Sequence, residues 1–366
     1  MNKFTRKLVL LLAVLLTAGT LAGCGRTKVT LENYPTTVVA TLGDTKIYLD
    51  EANYQARYNQ YTSELYYNMY GYDLSDMWET DIGTGSTLED YTKKNVMSAI
   101  YQTYVLKAKA EELGLALDEE ETAKVAETVK STMENMDEAL KEATAITEER
   151  LTEILTNNAL AMKAYEYAVK DVDTEVSDEE AAQRKISYIL VKDGDDAAAA
   201  ETLAEELKGK AEAGEDMSAL ADEHDNCTYS QATYGAGDYD NTLGNFGRTL
   251  ATGEFGSVYD EGYGWYIVYC DSDFDQEATE KEKPVIVEQR KGELFQSAYA
   301  EWLKDMPKFK VDEDVWSAIT FDKTLFVVPE TTSGEEETTS AAGEETTTAE
   351  TSESTSAQEE TTTAAE

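Results

Sequence analysis

The sequence predicts an α+β protein that is mostly helical, with one mixed segment in its middle. Three observations carry this. From about 50 to 182, apolar residues recur at three- and four-residue spacing between polar capping residues. Between 185 and about 273, strand-like runs bracket a helical stretch and a glycine-rich segment. A helical pattern then returns before a last short run of alternating residues. At 366 residues the chain exceeds one ordinary domain.

The first 25 residues are read as an address. Lys3, Arg6 and Lys7 precede an apolar run from Leu8 to Leu16, then small residues. This is the pattern of a secretory signal, and the run is too short to span a bilayer. Leu21-Ala22-Gly23-Cys24 resembles a bacterial lipobox, in which cleavage leaves the cysteine first and lipid-bearing. Residues 1–23 are therefore expected to be the signal and Cys24 the lipidated tether.

Thr37 to Leu42, Gly43-Asp44 and Lys46 to Tyr48 read as a hairpin. Asp50 is expected to cap a helix that starts at Glu51. Tyr54, Tyr58, Tyr61 and Leu65 then share one helical face. The stretch 54–72 is rich in tyrosine, and Met69 and Met77 add pliable surface. Tyrosine combines apolar area with a polar tip, which suits adaptable contact with unfolded segments. Tyr58, Tyr61, Tyr66, Tyr67 and Tyr70 are the candidates for client binding; a core stripe with polar tips is the plainer alternative.

Residues 73–85 read as a loop. A helix follows in which Val96, Ile100, Tyr104 and Ala108 form a ladder, closed by Gly114. Asp118 is expected to open a single helix through about Glu142. Thr147 opens another that carries Leu151, Leu155, Leu160 and Met162, and Ser177 with Glu180 fits a capping box.

In the mixed segment, Ile186 to Val191 is a strand by alternation and β-branching. A helix runs from Asp195 to about Ala213, and Met217 to Ala221 starts a short one. After a glycine-rich turn region, Gly264 to Cys270 is a second strand. From about Pro329 the composition falls to Thr, Glu, Ser, Ala and Gly, which cannot offset chain entropy by burial. A disordered tail over 329–366 is expected, either a spacer or dispensable.

The net charge of -43 argues against nucleic-acid binding and against a basic membrane patch. Cysteines occur only at 24, 227 and 270, which is neither a disulfide framework nor a zinc spacing. One histidine, His224, leaves no basis for His-rich metal sites or Ser-His-Asp catalysis. No metal and no cofactor are expected.

Two resemblances add to this reading. VVATLGDTKIYLDEANY resembles the opening of the SurA-type and PrsA-type chaperone lobe, and YVLKAKAEELGLALDEEE its helix, glycine and acidic restart. VEQRKGELFQSAYAEWLKDMPKFKVDEDVWSAI resembles that family's returning helix and final strand. The resemblance implies one helical lobe assembled from residues 24–182 and 276–328, with 183–275 inserted between them. That insert resembles a parvulin, a prolyl isomerase domain with a His-Ile-Leu-Val strand and a Gly-Tyr-His-Ile strand.

Prolyl isomerisation needs neither nucleophile nor metal; the barrier is amide resonance, about 18–20 kcal/mol. A parvulin lowers it with two core histidines, a nearby Cys or Asp, and apolar residues around the proline. Carried over by position, the histidines fall on Tyr188 and Tyr266, and the Cys-or-Asp position on Cys227. Phe246 or Leu243 stands in for the apolar residues. With both histidines replaced, the resemblance implies an isomerase-family site whose activity is in question. Cys227 and Cys270 are either separate thiols or a pair in this compartment.

The expected function is that of a lipid-anchored, extracytoplasmic folding factor acting on unfolded or newly exported polypeptides. The alternative is a catalytically inactive parvulin-like holdase. A homodimer is compatible with the sequence. A solute-binding lipoprotein is disfavoured, because it requires two α/β lobes of repeated βαβ units.

Overall fold

A computed structural model describes residues 29–326, apart from 75, 76, 84, 195 and 237. Cys24, the signal segment and the acidic tail lie outside the described residues. The fold is α+β, with two antiparallel sheets.

After a 3-10 turn over Leu31–Thr36, β1 (Val38–Leu42) and β2 (Thr45–Tyr48) form the expected hairpin. Gly43 turns it at φ +59, a conformation that costs a β-carbon-bearing residue. β2 runs straight into α1 (Leu49–Met69). Asp50 is not its cap: the helix starts at Leu49, two residues before the expected Glu51, and the Leu49 amide donates to the Thr37 carbonyl at 2.8 Å. Asp50 instead lies buried in the first turn, paired with Arg150 at 2.8 Å.

α2 (Leu88–Glu112) has a Thr87–Asp90 capping box and buries Val96, Ile100 and Tyr104 as their spacing predicts. Gly114 follows it at φ +70. The single helix expected from Asp118 is two. α3 (Glu119–Asn135) stops where Met136 adopts an extended conformation and drops into the core, and Asp137 caps a new start for α4 (Glu138–Thr144). Thr147 caps α5 (Glu148–Val169); Leu151 and Ile154 are buried, whereas Met162 is exposed. Ser177 does accept from the Glu180 amide at 3.1 Å, but only a turn follows, and the Glu180 carboxylate holds Arg290 at 2.7 Å.

β3 (Arg184–Val191) opens the second sheet. α6 (Ala197–Glu212) and α7 (Met217–Asp222) follow, then β4 (Cys227–Tyr234), α8 (Thr242–Gly247), β5 (Phe255–Asp260) and β6 (Gly264–Ser272). The strand order is β4-β3-β6-β5, antiparallel throughout. One face packs Ile189, Val191 and Ile267 against Leu207 and Leu220 of α6 and α7. The other packs Ile186 and Val268 against Leu243 and Leu250 around α8.

α9 (Gln276–Trp302) is capped by Asp275 and buries only Thr279 among its residues. Thr279 Oγ1 accepts from the Gln183 amide at 3.1 Å, so the helix starts beside the entry to β3. β7 (Phe309–Val311) then pairs with β1, Leu42 opposite Phe309 and Ala40 opposite Val311. The beginning and the end of the described chain thus share one sheet. After the short α10 (Glu313–Trp316), Ile319, Phe321 and Leu325 are buried in the helical lobe.

Candidate functional site

Two surfaces carry the residues singled out in the sequence. The first is the α8 face of the second sheet. In the β3–β6 register Tyr188 stands opposite Val268 and Leu190 opposite Tyr266. Side chains two apart on a strand share a face, so the two tyrosines are diagonal neighbours. Their rings meet edge to face, with centroids 5.6 Å apart and planes at 68°. The tyrosines touch through their rings; no hydrogen bond joins their hydroxyls. Tyr266 is buried, which raises its pKa, and Tyr188 is half-buried.

Leu190, Phe246 and Val258 surround the pair, each half-buried. α8 delivers Phe246. Asn241 caps that helix, and Arg184 ties its end to the sheet by donating to the carbonyls of Gly247 at 2.5 Å and Leu250 at 2.7 Å. Arg248 donates to the carbonyls of Gly235 and Asp238 and lies over the Tyr234 ring. Phe246 reaches the backbone of β5 because Gly256 has no side chain: a Cβ there would sit 2.5 Å from the ring. Leu243 comes to the same face but is buried, so Phe246 is the more accessible of the two.

Cys227 is not brought to this face. It stands opposite Val191 and packs with the α6–α7 cluster, on the far side of the sheet from Tyr188 and Tyr266. Burial raises its thiol pKa. The β4 residue opposite Tyr188 is Ser230, and Thr228 stands opposite Leu190. Cys270 lies buried on the α8 side, opposite Ile186, and both cysteines are free. The face is therefore apolar and aromatic, with hydroxyls at Tyr188, Tyr266, Ser230 and Thr228. It holds no imidazole.

The second surface is the outer side of α1. Tyr54 is buried and Tyr58 lies against it with centroids 6.0 Å apart. Tyr61 is half-buried against the edge of Phe326. Tyr66 contacts Tyr67 at 5.6 Å and Tyr70 at 5.1 Å. Tyr58, Tyr66, Tyr67, Met69, Tyr70, Tyr72 and Met77 are all exposed, Tyr70 by 65%. The first half of the helix buries Leu49, Ala52, Tyr54 and Ala56, whereas in its second half Gln60 and Glu64 are the buried residues. The exposed tyrosines and methionines form an apolar surface with polar tips. A separate cleft of about 370 Å³ opens between α2, α3 and α5, lined by Leu115, Leu117, Val125 and Leu160.

No helix among the described residues is long and apolar enough to cross a membrane. A helical lobe closed by strands from both ends of the chain, joined to an antiparallel α/β layer, defines the architectural class. Residues 1–174 match the family described as the SurA-like N-terminal domain. Over those residues the chain is similar to a SurA-like N-terminal domain. Among solved structures it is similar to the peptidylprolyl isomerase PrsA of Bacillus cereus, at 21% identity and a TM-score of 0.33, over 66% of this chain and 97% of that one. It is similar to the foldase PrsA of Lactococcus lactis at 13% identity and a TM-score of 0.29, over 77% and 97%. A SurA-like chaperone of Campylobacter jejuni is 11% identical, with a TM-score of 0.27, over 75% and 99%. No curated protein matches the chain.

Proposed function

We propose that the chain is a lipid-anchored, extracytoplasmic folding factor that holds unfolded or newly exported polypeptides on the outer face of α1. The observation that carries this reading is the exposed tyrosine and methionine surface on a SurA-like N-terminal domain. Cys24 supplies the tether on this reading, and residues 183–275 act as a parvulin-like domain. The strand order β4-β3-β6-β5, with two helices on one face and one on the other, supports that assignment.

The second reading, a holdase without isomerase activity, draws support from the same sheet. Tyr188 and Tyr266 occupy adjacent places at its centre, and Cys227 lies on the opposite face. Neither arrangement offers the imidazole pair with which a parvulin acts.

Suppression of aggregation of a chemically unfolded protein tests the first reading. Replacing Tyr58, Tyr66, Tyr67 and Tyr70 by Ser should abolish suppression while leaving thermal stability nearly unchanged, because all four side chains are exposed. Retained suppression in the quadruple variant would remove the tyrosine surface from the account. A proline-peptide assay separates the two readings. The full chain should isomerise poorly, and the double variant Tyr188→His, Tyr266→His should gain activity. No gain would mean that the apolar proline site itself is missing.

A further inference from the structure

Each hydrophobic cluster among the described residues lies wholly within the helical lobe or wholly within the second sheet and its helices, the sheet layer. No such cluster joins the two. Two connections run between them: residues 170–183 lead out to β3, and residues 273–275 return from β6 to α9. The outgoing connector buries Ala181 and Gln183 but leaves 173–175 and 177–180 exposed, so little apolar burial fixes its course. Polar bonds to α9 do.

The connector runs antiparallel to the first half of α9. At one end the Gln183 amide donates to Thr279 Oγ1 at 3.1 Å, and the Asp275 amide donates to the Gln183 carbonyl at 2.7 Å. Lys283 Nζ pairs with Asp178 Oδ1 at 2.6 Å. Arg290 Nη1 donates to the carbonyls of Asp173 at 2.8 Å and Glu175 at 3.0 Å, and its Nη2 donates to both carboxylate oxygens of Glu180 at 2.7 and 2.8 Å. All four terminal N–H donors of one guanidinium are thus used on three connector residues. Thr279, Lys283 and Arg290 stand at i, i+4 and i+11, which is one face of a helix. The same helix continues into the lobe, where Phe295 and Tyr299 pack on Leu106, Ala110 and Ala161.

We propose that α9 is a strut that carries the sheet layer on the lobe, and that Arg290 is its positioning residue, locking the outgoing connector to the helix. An exposed lysine–aspartate pair such as Lys283 with Asp178 contributes little. A guanidinium bound to two carbonyls and a carboxylate fixes direction as well as distance, which an ammonium does not. Arg290 therefore outweighs Lys283. With the lock closed, the Tyr188–Tyr266 face keeps one orientation relative to α1. With it broken, the layer pivots about the bonds at Gln183. The lock acts on placement alone and is independent of what the chain binds.

Amide NMR relaxation and hydrogen exchange on the full chain test this. In the parent, residues 184–272 and the lobe should share one rotational correlation time. In Arg290→Ala the value for 184–272 should fall below that of the lobe. The amides of Glu180 and Ala181, which donate to Ser177, should exchange roughly tenfold faster in that variant. Arg290→Lys keeps the charge without the four bonds and should free the layer as well, whereas Lys283→Ala should change neither readout. One shared correlation time in Arg290→Ala overturns the proposal, and so does independent tumbling in the parent chain. Release by Lys283→Ala equal to that by Arg290→Ala overturns the role of Arg290. Loss of protection throughout β3 and α2 in both Arg290 variants overturns it too, because the contact would then serve folding rather than placement. No client enters these measurements, so their failure is distinct from failure of the folding-factor reading.

Discussion

In the helical lobe Asp50, Glu51, Asn53, Gln60, Glu64 and Lys93 are all buried, whereas the second sheet and its helices, over 184–272, bury Ser187 as the one polar residue among those described. The lobe is closed by directed bonds between elements distant in sequence: Asp50 to Arg150, Glu51 to Tyr104, Lys93 to Ile319 and Glu64 to Leu325. The sheet is closed by apolar packing on both faces. Buried polar groups are costly unless every one is satisfied, and they fix a single arrangement when they are. The lobe should therefore respond sharply to loss of one charged group and to pH, and the sheet to changes of volume.

The largest effect is expected at Glu64. Its carboxylate accepts from Trp78, Gln60, Leu325 and Phe326, so Glu64→Ala leaves the buried Trp78 and Leu325 donors unpaired, while Gln60 Nε2 keeps the Lys323 carbonyl and Phe326 is half-buried. Relief of the carboxylate's own desolvation offsets part of the loss, which leaves about 3–4 kcal/mol of destabilisation. Urea unfolding measures it. Glu64→Gln keeps an acceptor oxygen and should cost less. A loss under about 1 kcal/mol in the alanine variant would show that the bonds to Glu64 contribute little.

Next comes the pH dependence of the lobe. Burial pushes the Glu51 carboxyl up to about 7, against a partial opposing effect of its bond from Tyr104 at 2.7 Å. The nearby charged groups are Asp50, Arg150 and Glu153, and burial together with Glu51 also raises the Tyr104 hydroxyl. Below about pH 7 the acid is neutral in the folded chain, whereas it ionises near 4.5 in the unfolded one. Its contribution is therefore complete below about pH 4.5 and is lost as the pH rises through 7, a decline of roughly 3 kcal/mol. Glu51→Gln, which stays neutral, should flatten the stability profile between pH 5 and 8. An unchanged slope in the variant would assign the dependence to other groups.

Legibility in the sequence follows the same division. Where a segment buries an apolar face, its pattern is plain: β3, β6, α2 and α5 fall close to where alternation and helical spacing place them. β4 was hidden because CTYSQATY is polar at most positions, and as an edge strand it packs only part of its length. The misplacement of Cys227 has the same origin, since a position carried over from a family pattern does not say which side of a strand a residue faces. The adjacency of Tyr188 and Tyr266 was accessible through the family resemblance, not through spacing. The polar interior was invisible. Gln60 and Glu64 look like a solvated helix face, and Trp78 sits in a segment that reads as loop. Their burial depends on Lys323 and Leu325, more than 200 residues later.

The smallest effect falls on the sheet and tests volume rather than charge. Gly256 lies in β5 under Phe246, and a Cβ there would come within 2.5 and 2.7 Å of the ring and 3.2 Å of Leu250 Cδ2. The ring's outer end must move, so Gly256→Ala should cost about 1–2 kcal/mol by overpacking. The strain is specific to that contact, and Phe246→Ala removes the obstructing ring. The double variant should therefore be less destabilised than the sum of the two single changes, by about 1 kcal/mol in a double-mutant cycle. Additive losses would mean that the ring moves aside freely, and that the packing of Phe246 beside Tyr188 and Tyr266 is looser than its contact with Gly256 implies.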